Sequence, residues 1–275
     1  MKKSLTTMAL VACAITISGL SHAQTKPESD TQDETGITAT VEFDGSSSSA
    51  EQAYELDSSI GYTFTRHFGM DLGMPFYFLN GSSASSGIGN PTLDLRWKFP
   101  SLLNYATVLA GSAPLGDKSL GINTGHATFD WKNRFDHSFN RVTPFVEAGL
   151  SNTIADTRLF VRPYTAYGYN SHFRAGADVD VWKFFSVGAA GYDIAPFGNQ
   201  TITPRGHSNN PKIPSQTITG GSSLAKDDGY SLWVDASPNR YLDTEVGFTR
   251  SAHLDLNEVS FSVGLNIGHM IHHSQ

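Results

Sequence analysis

Two successive stretches that alternate apolar and polar residues predict an all-β protein: a closed, antiparallel, transmembrane β-barrel of twelve strands, with short periplasmic turns and longer extracellular loops. The stretches are residues 54–65 and 68–78, joined by a turn at Arg66 and His67. A strand that tilts across a bilayer needs about nine to eleven residues, whereas most strands of soluble proteins have about five or six. A period of two held over that length in adjoining strands is typical of a transmembrane hairpin.

The connections between the predicted strands alternate in length, which is the second observation. Those after the second, fourth, sixth, eighth and tenth strands have about two to six residues, whereas most of those after odd strands are clearly longer, with 251–256 as the exception. Short turns on one rim and long loops on the other are the arrangement of outer-membrane barrels. An even number of strands places both chain ends in the periplasm, and closure removes the unpaired edges that hydrocarbon cannot solvate.

Aromatic residues collect at both ends of the predicted strands, which is the third observation. The strands of soluble β-sandwiches also alternate apolar and polar residues, but aromatic residues in their cores have no reason to avoid strand centres. Membrane barrels instead carry a girdle of aromatic residues at each membrane interface. The set at the short-turn rim is Phe64, Phe68, Trp97, Phe99, Tyr105, Trp131, Phe135, Phe184, Phe185 and Tyr241. The set at the long-loop rim is Phe43, Tyr54, Phe76, Phe78, Tyr164, Tyr167, Tyr192 and Tyr230.

Each predicted strand rests on the same alternation, with serine, glycine and proline clusters as breaks between them. The seventh and eighth strands show it clearly, while the fifth is weaker and the two faces of the ninth are poorly resolved. The predicted strands are 37–44, 54–65, 68–79, 92–99, 105–113, 126–135, 142–150, 167–181, 185–194, 230–236, 242–248 and 258–268.

The chain divides into three predicted segments. Residues 1–23 form a signal peptide, with a basic start, an apolar run too short to span a membrane and a small-residue cleavage site before Gln24. An alternative is lipidation at Cys13, whose preceding residues resemble a lipoprotein cleavage box. Residues 24–35 are polar and acidic and are predicted to be a disordered periplasmic segment. Residues 36–275 form the barrel, with a long external loop at 195–229 that is proline-rich and predicted to be irregular.

Ten charged or titratable side chains on the polar strand faces are the candidate pore-lining residues. Charged side chains of both signs at matching positions on the polar faces are typical of a water-filled lumen, where they can pair with one another. Two interpretations stay open: a pore lining that sets charge selectivity, or salt bridges that plug a lumen of intermediate width. Either 24–35 or 195–229 could fold inward as a constriction, or remain exposed chain. The candidates are Asp94, Arg96, Lys98, Asp130, Lys132, Arg134, Glu147, His172, Arg174 and Asp178.

Residues 87–99 form a glycine-rich alternating strand, GIGNPTLDLRWKF, preceded by a strand at 72–78 and followed by the segment LAGSAPLG at 109–116. This arrangement resembles the motif of the phenol meta-pathway degradation family of outer-membrane transporters, most clearly over 59–135. Asn90 and Pro91 stand where the family has an acidic residue. The resemblance implies an outer-membrane channel or transporter fold and supplies no catalytic residues.

Enzymatic activity is the weaker alternative. Barrel lipid hydrolases use a His-x-Ser pair on a strand, because the imidazole must deprotonate the hydroxyl. His272 and Ser274 have that spacing but lie on the predicted periplasmic rim, away from outer-leaflet lipid, and His207 and Ser208 are adjacent rather than spaced. We therefore predict no catalytic residue, no cofactor and no resident metal, and interpret His269 and its histidine neighbours as a solvated tail.

The sequence thus predicts an outer-membrane channel that passes small solutes, with a lipid hydrolase or a non-conducting structural or adhesive barrel as alternatives. Its predicted partners are outer-membrane lipid and lipopolysaccharide, the barrel-assembly machinery and a small-molecule solute. A net charge of −7 argues against nucleic acid. No oligomeric state is predicted.

Overall fold

The computed structural model describes residues 35–48, 52–80, 84–101, 103–116, 121–123, 125–205, 213–239 and 241–266. The predicted signal peptide and the histidine-rich tail lie outside them. Within these ranges the chain forms fifteen strands and one short 3₁₀ turn at Ser222–Ala225. The strands are β1 (Gly36–Ser48), β2 (Gln52–Thr65), β3 (Phe68–Asn80), β4 (Ala84–Ile88), β5 (Thr92–Phe99), β6 (Asn104–Ser112), β7 (Thr128–Asp136), β8 (Val142–Thr153), β9 (Tyr164–Trp182), β10 (Phe185–Pro196), β11 (Gln200–Pro204), β12 (Ile218–Gly220), β13 (Asp227–Asn239), β14 (Leu242–Ser251) and β15 (Leu256–Asn266).

Twelve of these strands close into one antiparallel barrel, as predicted. Each barrel strand pairs with the next along the chain, and β15 returns to pair with β1, where Val41 lies opposite Leu265. The remaining three strands extend the wall at the long-loop rim. β4 pairs with the C-terminal part of β3, β11 pairs with the N-terminal part of β9, and β12 pairs with β11. The segment 195–229 is therefore less irregular than predicted, since β10 runs to Pro196 and β13 begins at Asp227.

The barrel is polar inside and apolar outside. Ile60, Leu72 and Phe173 are each more than half exposed on the outer face, at 60%, 53% and 51%. Charged side chains such as Asp71 and Arg134 are buried on the inner face, at 3% and 6% exposed. A soluble protein buries its apolar side chains and exposes its charges, so this reversal requires an apolar solvent around the barrel.

Aromatic rings cover the outer surface near the short-turn rim. Phe64 stacks on Phe68 at 5.4 Å between ring centroids, Phe68 lies 5.1 Å from Trp97, and Tyr105 stacks on Phe135 at 4.8 Å. This part of the predicted girdle is confirmed. Two residues assigned to the opposite girdle are misplaced: Tyr164 is 2% exposed in an interior apolar cluster, and Tyr192 packs against the same cluster. Both side chains therefore pack in the barrel interior instead of facing lipid.

No helix in the described part of the chain is long and apolar enough to cross a membrane.

Candidate functional site: the barrel lumen

The segment between β8 and β9, residues 154–163, folds into the barrel and is called the inserted loop below. Its sequence is unusually apolar for a connection, and Ile154, Leu159, Phe160 and Val161 are all buried, at 8%, 2%, 2% and 4% exposed. Thr157 and Phe160 form a β-bridge, which makes a tight turn with Arg158 and Leu159 at its tip. The inserted loop therefore occupies part of the lumen.

Arg158 fixes the tip of the inserted loop to the wall formed by β1, β14 and β15. Its Nε lies 2.6 Å from Glu42 Oε1, and its Nη2 donates to Asp243 Oδ2 at 3.0 Å. Its Nε also donates to Ser262 Oγ at 2.9 Å. Burial alone would lower the pKa of Arg158, but Glu42 and Glu245 hold it above its ordinary value. The guanidinium is therefore charged at every physiological pH, and its pairing does not depend on proton uptake.

The two arms of the inserted loop are held by two further arginines. Arg162 Nη2 lies 3.2 Å from Asp227 Oδ2 at the start of β13. Arg205, which follows β11, lies 2.5 Å from Asp156 Oδ2 and donates to the backbone carbonyl of Arg162 at 3.1 Å. Charge-assisted pairs of this kind are shorter and stronger than neutral hydrogen bonds, so the loop is anchored along its whole length.

Leu159, at the tip of the inserted loop, packs against a glycine of the barrel wall. It belongs to a buried cluster with Phe145, Ala190 and Trp233. Gly247 on β14 faces it, and a Cβ built at Gly247 would overlap the Leu159 side chain. The glycine therefore provides the space into which the loop tip fits.

The charged residues predicted to line the pore face the lumen, and many of them pair with one another. Arg134 makes three carboxylate contacts: 3.2 Å to Asp136, 3.0 Å to Glu147 and 3.8 Å to Asp178. Arg174 lies 3.6 Å from Glu147 on its other side. These five residues form a buried network, called the Arg134 network below.

Aromatic rings support the Arg134 network from the lumen side. The Arg134 guanidinium lies 4.1 Å from the ring centroid of Phe145, and Arg174 lies 5.1 Å from that of Trp233. Trp233 Nε1 also donates to Asp178 Oδ1 at 3.0 Å. These contacts fill the space between β8 and β13, so this side of the lumen is packed.

The other predicted candidates lie on β5, β7 and β9. Asp130 lies 3.3 Å from Lys132 Nζ and 2.8 Å from His172 Nε2, and Arg96 lies 2.6 Å from Asp71. Asp94 and Lys98 share the same inner face of β5, opposite Ala110 and Ala106 of β6. The structure thus places all ten candidates on the inner face, while their predicted role as a pore lining stays a prediction.

A cavity of about 290 Å³ lies between the inserted loop and the wall formed by β1, β2, β3, β5, β6 and β7. Eight carboxyl and three cationic side chains line it, the latter being Lys132, Arg158 and Arg205. Sequence reasoning missed Arg158, Arg205, Glu42 and Asp44 as site residues, although the period of two places the last pair on the polar face of β1. Two segments were left open as inward-folded or exposed chain: 195–229 contributes Arg205 to the cavity lining, and 24–34 lie outside the described residues. The inserted loop was not considered.

Known proteins match this chain in structure and not in sequence. No family model matches it, and no curated protein matches it by sequence. An outer membrane channel from Pseudomonas putida F1 is similar with a TM-score of 0.58 at 8% identity, covering 88% of this chain and 100% of that chain. The KdgM porin gives 0.48 at 10% identity over 82% and 96%, and the NanC porin 0.49 at 5% identity over 82% and 98%.

These comparisons concern the fold. At 8% identity the Pseudomonas channel shows that the chain has the fold of an outer-membrane β-barrel, in agreement with the closure of β15 on β1. The resemblance to the phenol meta-pathway degradation family is not confirmed.

Among the described residues no group of three or more His, Cys, Asp or Glu side chains is placed to hold a metal ion. The His272 and Ser274 pair and the adjacent His207 and Ser208 lie outside the described residues.

Proposed function

We propose that this protein is an integral outer-membrane channel that passes small solutes passively into the periplasm. The observation that carries the proposal is the cavity of about 290 Å³ inside a closed barrel wall, bounded by charged side chains and the inserted loop. A barrel whose only role was structural could be packed throughout, as eight-stranded barrels are. Here one side of the lumen is packed by the Arg134 network and the other keeps a polar space.

The orientation follows from the connections. We propose that the short turns, such as those at 66–67 and 183–184, face the periplasm together with both chain ends, and that the inserted loop enters from the cell surface. Outer-membrane lipid, lipopolysaccharide and the barrel-assembly machinery are the partners that this location implies. The likeness to the Pseudomonas channel and the sequence resemblance over 59–135 both support a transport role.

Conductance measured in a planar lipid bilayer tests this function. Refolded protein beginning at Gln24 should insert and give discrete current steps. Arg96→Glu and Lys132→Glu should change the ion selectivity of the protein that folds, because both side chains face the lumen. Folding is checked separately by the shift in gel mobility on heating that is typical of membrane barrels. Folded protein that inserts into vesicles and carries no current would contradict the proposal, and turnover of phospholipid by such protein would favour the hydrolase alternative.

A further inference from the structure

The inserted loop crosses the lumen from one wall of the barrel to the other. It leaves the wall between β8 and β9, and Arg158 at its tip contacts Glu42 on β1 and Asp243 on β14. In barrel order, β2, β3, β5, β6 and β7 lie between β1 and β8 on one side, and β10, β13, β14 and β15 lie between β9 and β1 on the other. β1 is therefore opposite the point where the loop begins, and the loop separates the lumen into two halves.

The half enclosed by β8, β9, β10, β13 and β14 is filled by side chains. Leu159 packs there against Phe145 on β8, Ala190 on β10 and Trp233 on β13, and each of the four is at most 8% exposed. Gly247 on β14 lies so close that a Cβ there would overlap the Leu159 side chain. Protein interiors packed in this way contain few voids larger than a water molecule, so this half offers no path to a solute.

The other half keeps the cavity of about 290 Å³. Its wall residues belong to β1, β2, β3, β5, β6 and β7, apart from Thr153 and Thr165 at the ends of β8 and β9 beside the inserted loop. No described residue of β10, β13, β14 or β15 lines it, and most of the side chains around it are polar. Pockets that hold drug-sized molecules have about 300–1,000 Å³, so this cavity suits polar solutes of smaller size.

We infer that the inserted loop divides the lumen and confines the solute path to the half bounded by β1, β2, β3, β5, β6 and β7, with Leu159 closing the other half. The solutes that fit this path are polar and of about monosaccharide size. The inference rests on the proposed channel function. Arg158 is a positioning residue in this arrangement, because its contacts with the far wall hold Leu159 in place.

Modification of single cysteines tests which half carries the solute. Protein beginning at Gln24 contains no native cysteine, since Cys13 precedes that residue. Ala110→Cys places a thiol on β6 in the cavity, and the matched control Ala190→Cys places one on β10 in the filled half. Hydrophilic methanethiosulfonate reagents, one with a cationic and one with an anionic head group, are added to channels in a bilayer. Using both signs separates accessibility from charge.

We expect both reagents to modify Ala110→Cys with loss of most of the current, and Ala190→Cys to stay unmodified with its current unchanged. Mass spectrometry of the recovered protein shows whether each thiol has reacted. If Ala190→Cys does not fold, Ser231→Cys replaces it, because Ser231 is opposite Ala190 on β13 and is also buried.

The variant Leu159→Gly tests the role of the loop tip, since it removes the packing side chain and keeps Arg158. In this background Ala190→Cys should become reactive, and its modification should reduce the current. Swelling of proteoliposomes in neutral sugars tests the solute size. The wild-type protein should admit glucose and exclude the trisaccharide raffinose.

Four outcomes would overturn the inference and leave the proposed function intact. They are a conducting Ala110→Cys channel whose current the reagents do not reduce, a control that loses as much current as Ala110→Cys, an Ala190→Cys thiol that stays unreactive beside Leu159→Gly, and raffinose entry as fast as that of glucose. Folded, inserted protein without any conductance would instead remove the proposed function together with the inference.

Discussion

Buried arginines stabilise the barrel interior by pairing with the carboxylates around them. Arg134 and Arg158 are each surrounded by carboxylates that the barrel wall holds in place, and both side chains are 6% exposed. Removing one partner of a buried ion pair leaves its counter-charges without solvent or cation, which costs more than the pair itself contributes. Arg250 is the contrasting case, since it pairs with Asp255 at the rim, where the two side chains are 29% and 65% exposed.

Arg134→Ala should destabilise the barrel by about 3–5 kcal/mol, because Asp136, Glu147 and Asp178 lose their shared cation. Arg250→Ala should cost less than about 1 kcal/mol, as is usual for exposed pairs. Urea titrations of the proteins folded in lipid vesicles measure both changes. Equal losses for the two variants would show that the Arg134 network is solvated and not buried.

At the scale of single elements, the strands could be predicted from sequence and the inserted loop could not. A period of two is a local property, so the alternation in β2 and β3 identified the strands and the side chains on each face. The position of the inserted loop depends on contacts such as that of Arg158 with Ser262, which lies 104 residues away in the sequence. No local pattern encodes a contact at that distance. The four apolar residues of the loop were the available signal, since an exposed loop has no need of them.

The same limit applies to the candidate site. Strand alternation predicted that Arg134 and Asp178 face inward, but not that they meet across β8 at 3.8 Å. It also gave no sign that Trp233 would bind Asp178, because the two residues lie on β13 and β9, which are separated by β10 in the barrel. Cross-lumen partners depend on barrel closure and strand tilt, which a single strand does not reveal.

The inserted loop can be locked in place by an engineered disulfide. A Cβ at Gly247 would lie 3.4 Å from Leu159 Cγ, close to where the sulfur of Leu159→Cys would lie, so Leu159→Cys and Gly247→Cys bring two cysteines side by side. The only native cysteine, Cys13, lies in the predicted signal peptide, so no other thiol competes. The oxidised double variant should conduct steadily, and reduction should increase the current fluctuations.

Each single-cysteine variant serves as the control for this experiment, and its current should not respond to reductant. A double variant that stays reduced under oxidising conditions would show that the loop tip does not rest against β14.

At the scale of the whole molecule, the barrel carries its apolar residues on the outer face and its charged residues on the inner face, the reverse of a soluble protein. Leu72 pairs with Ile60 and Leu93 on the outer face of three neighbouring strands. Ala110 lies between Asp94 and Asp130 on the inner face. The same substitution at these two positions therefore meets lipid in one case and carboxylates in the other.

Leu72→Arg should destabilise the protein in vesicles by about 2–4 kcal/mol, since the bilayer centre does not solvate a guanidinium. Ala110→Arg should be tolerated better, because the new guanidinium faces the polar lumen beside Asp94 and Asp130. Urea titration of both variants in vesicles measures the difference. The reverse order of stability would mean that the polar face is the outer one.

Closure of the barrel joins the first described strand to the last, with Thr40 opposite Asn266 and Ser48 opposite Glu258. A chain that lacks the eleven residues of β15 would present the unpaired backbone of β1 and β14 to hydrocarbon. The barrel therefore cannot close before β15 has been delivered, because that strand supplies the seam. Until then the unpaired edges of β1 and β14 must be kept apart from other copies of the chain.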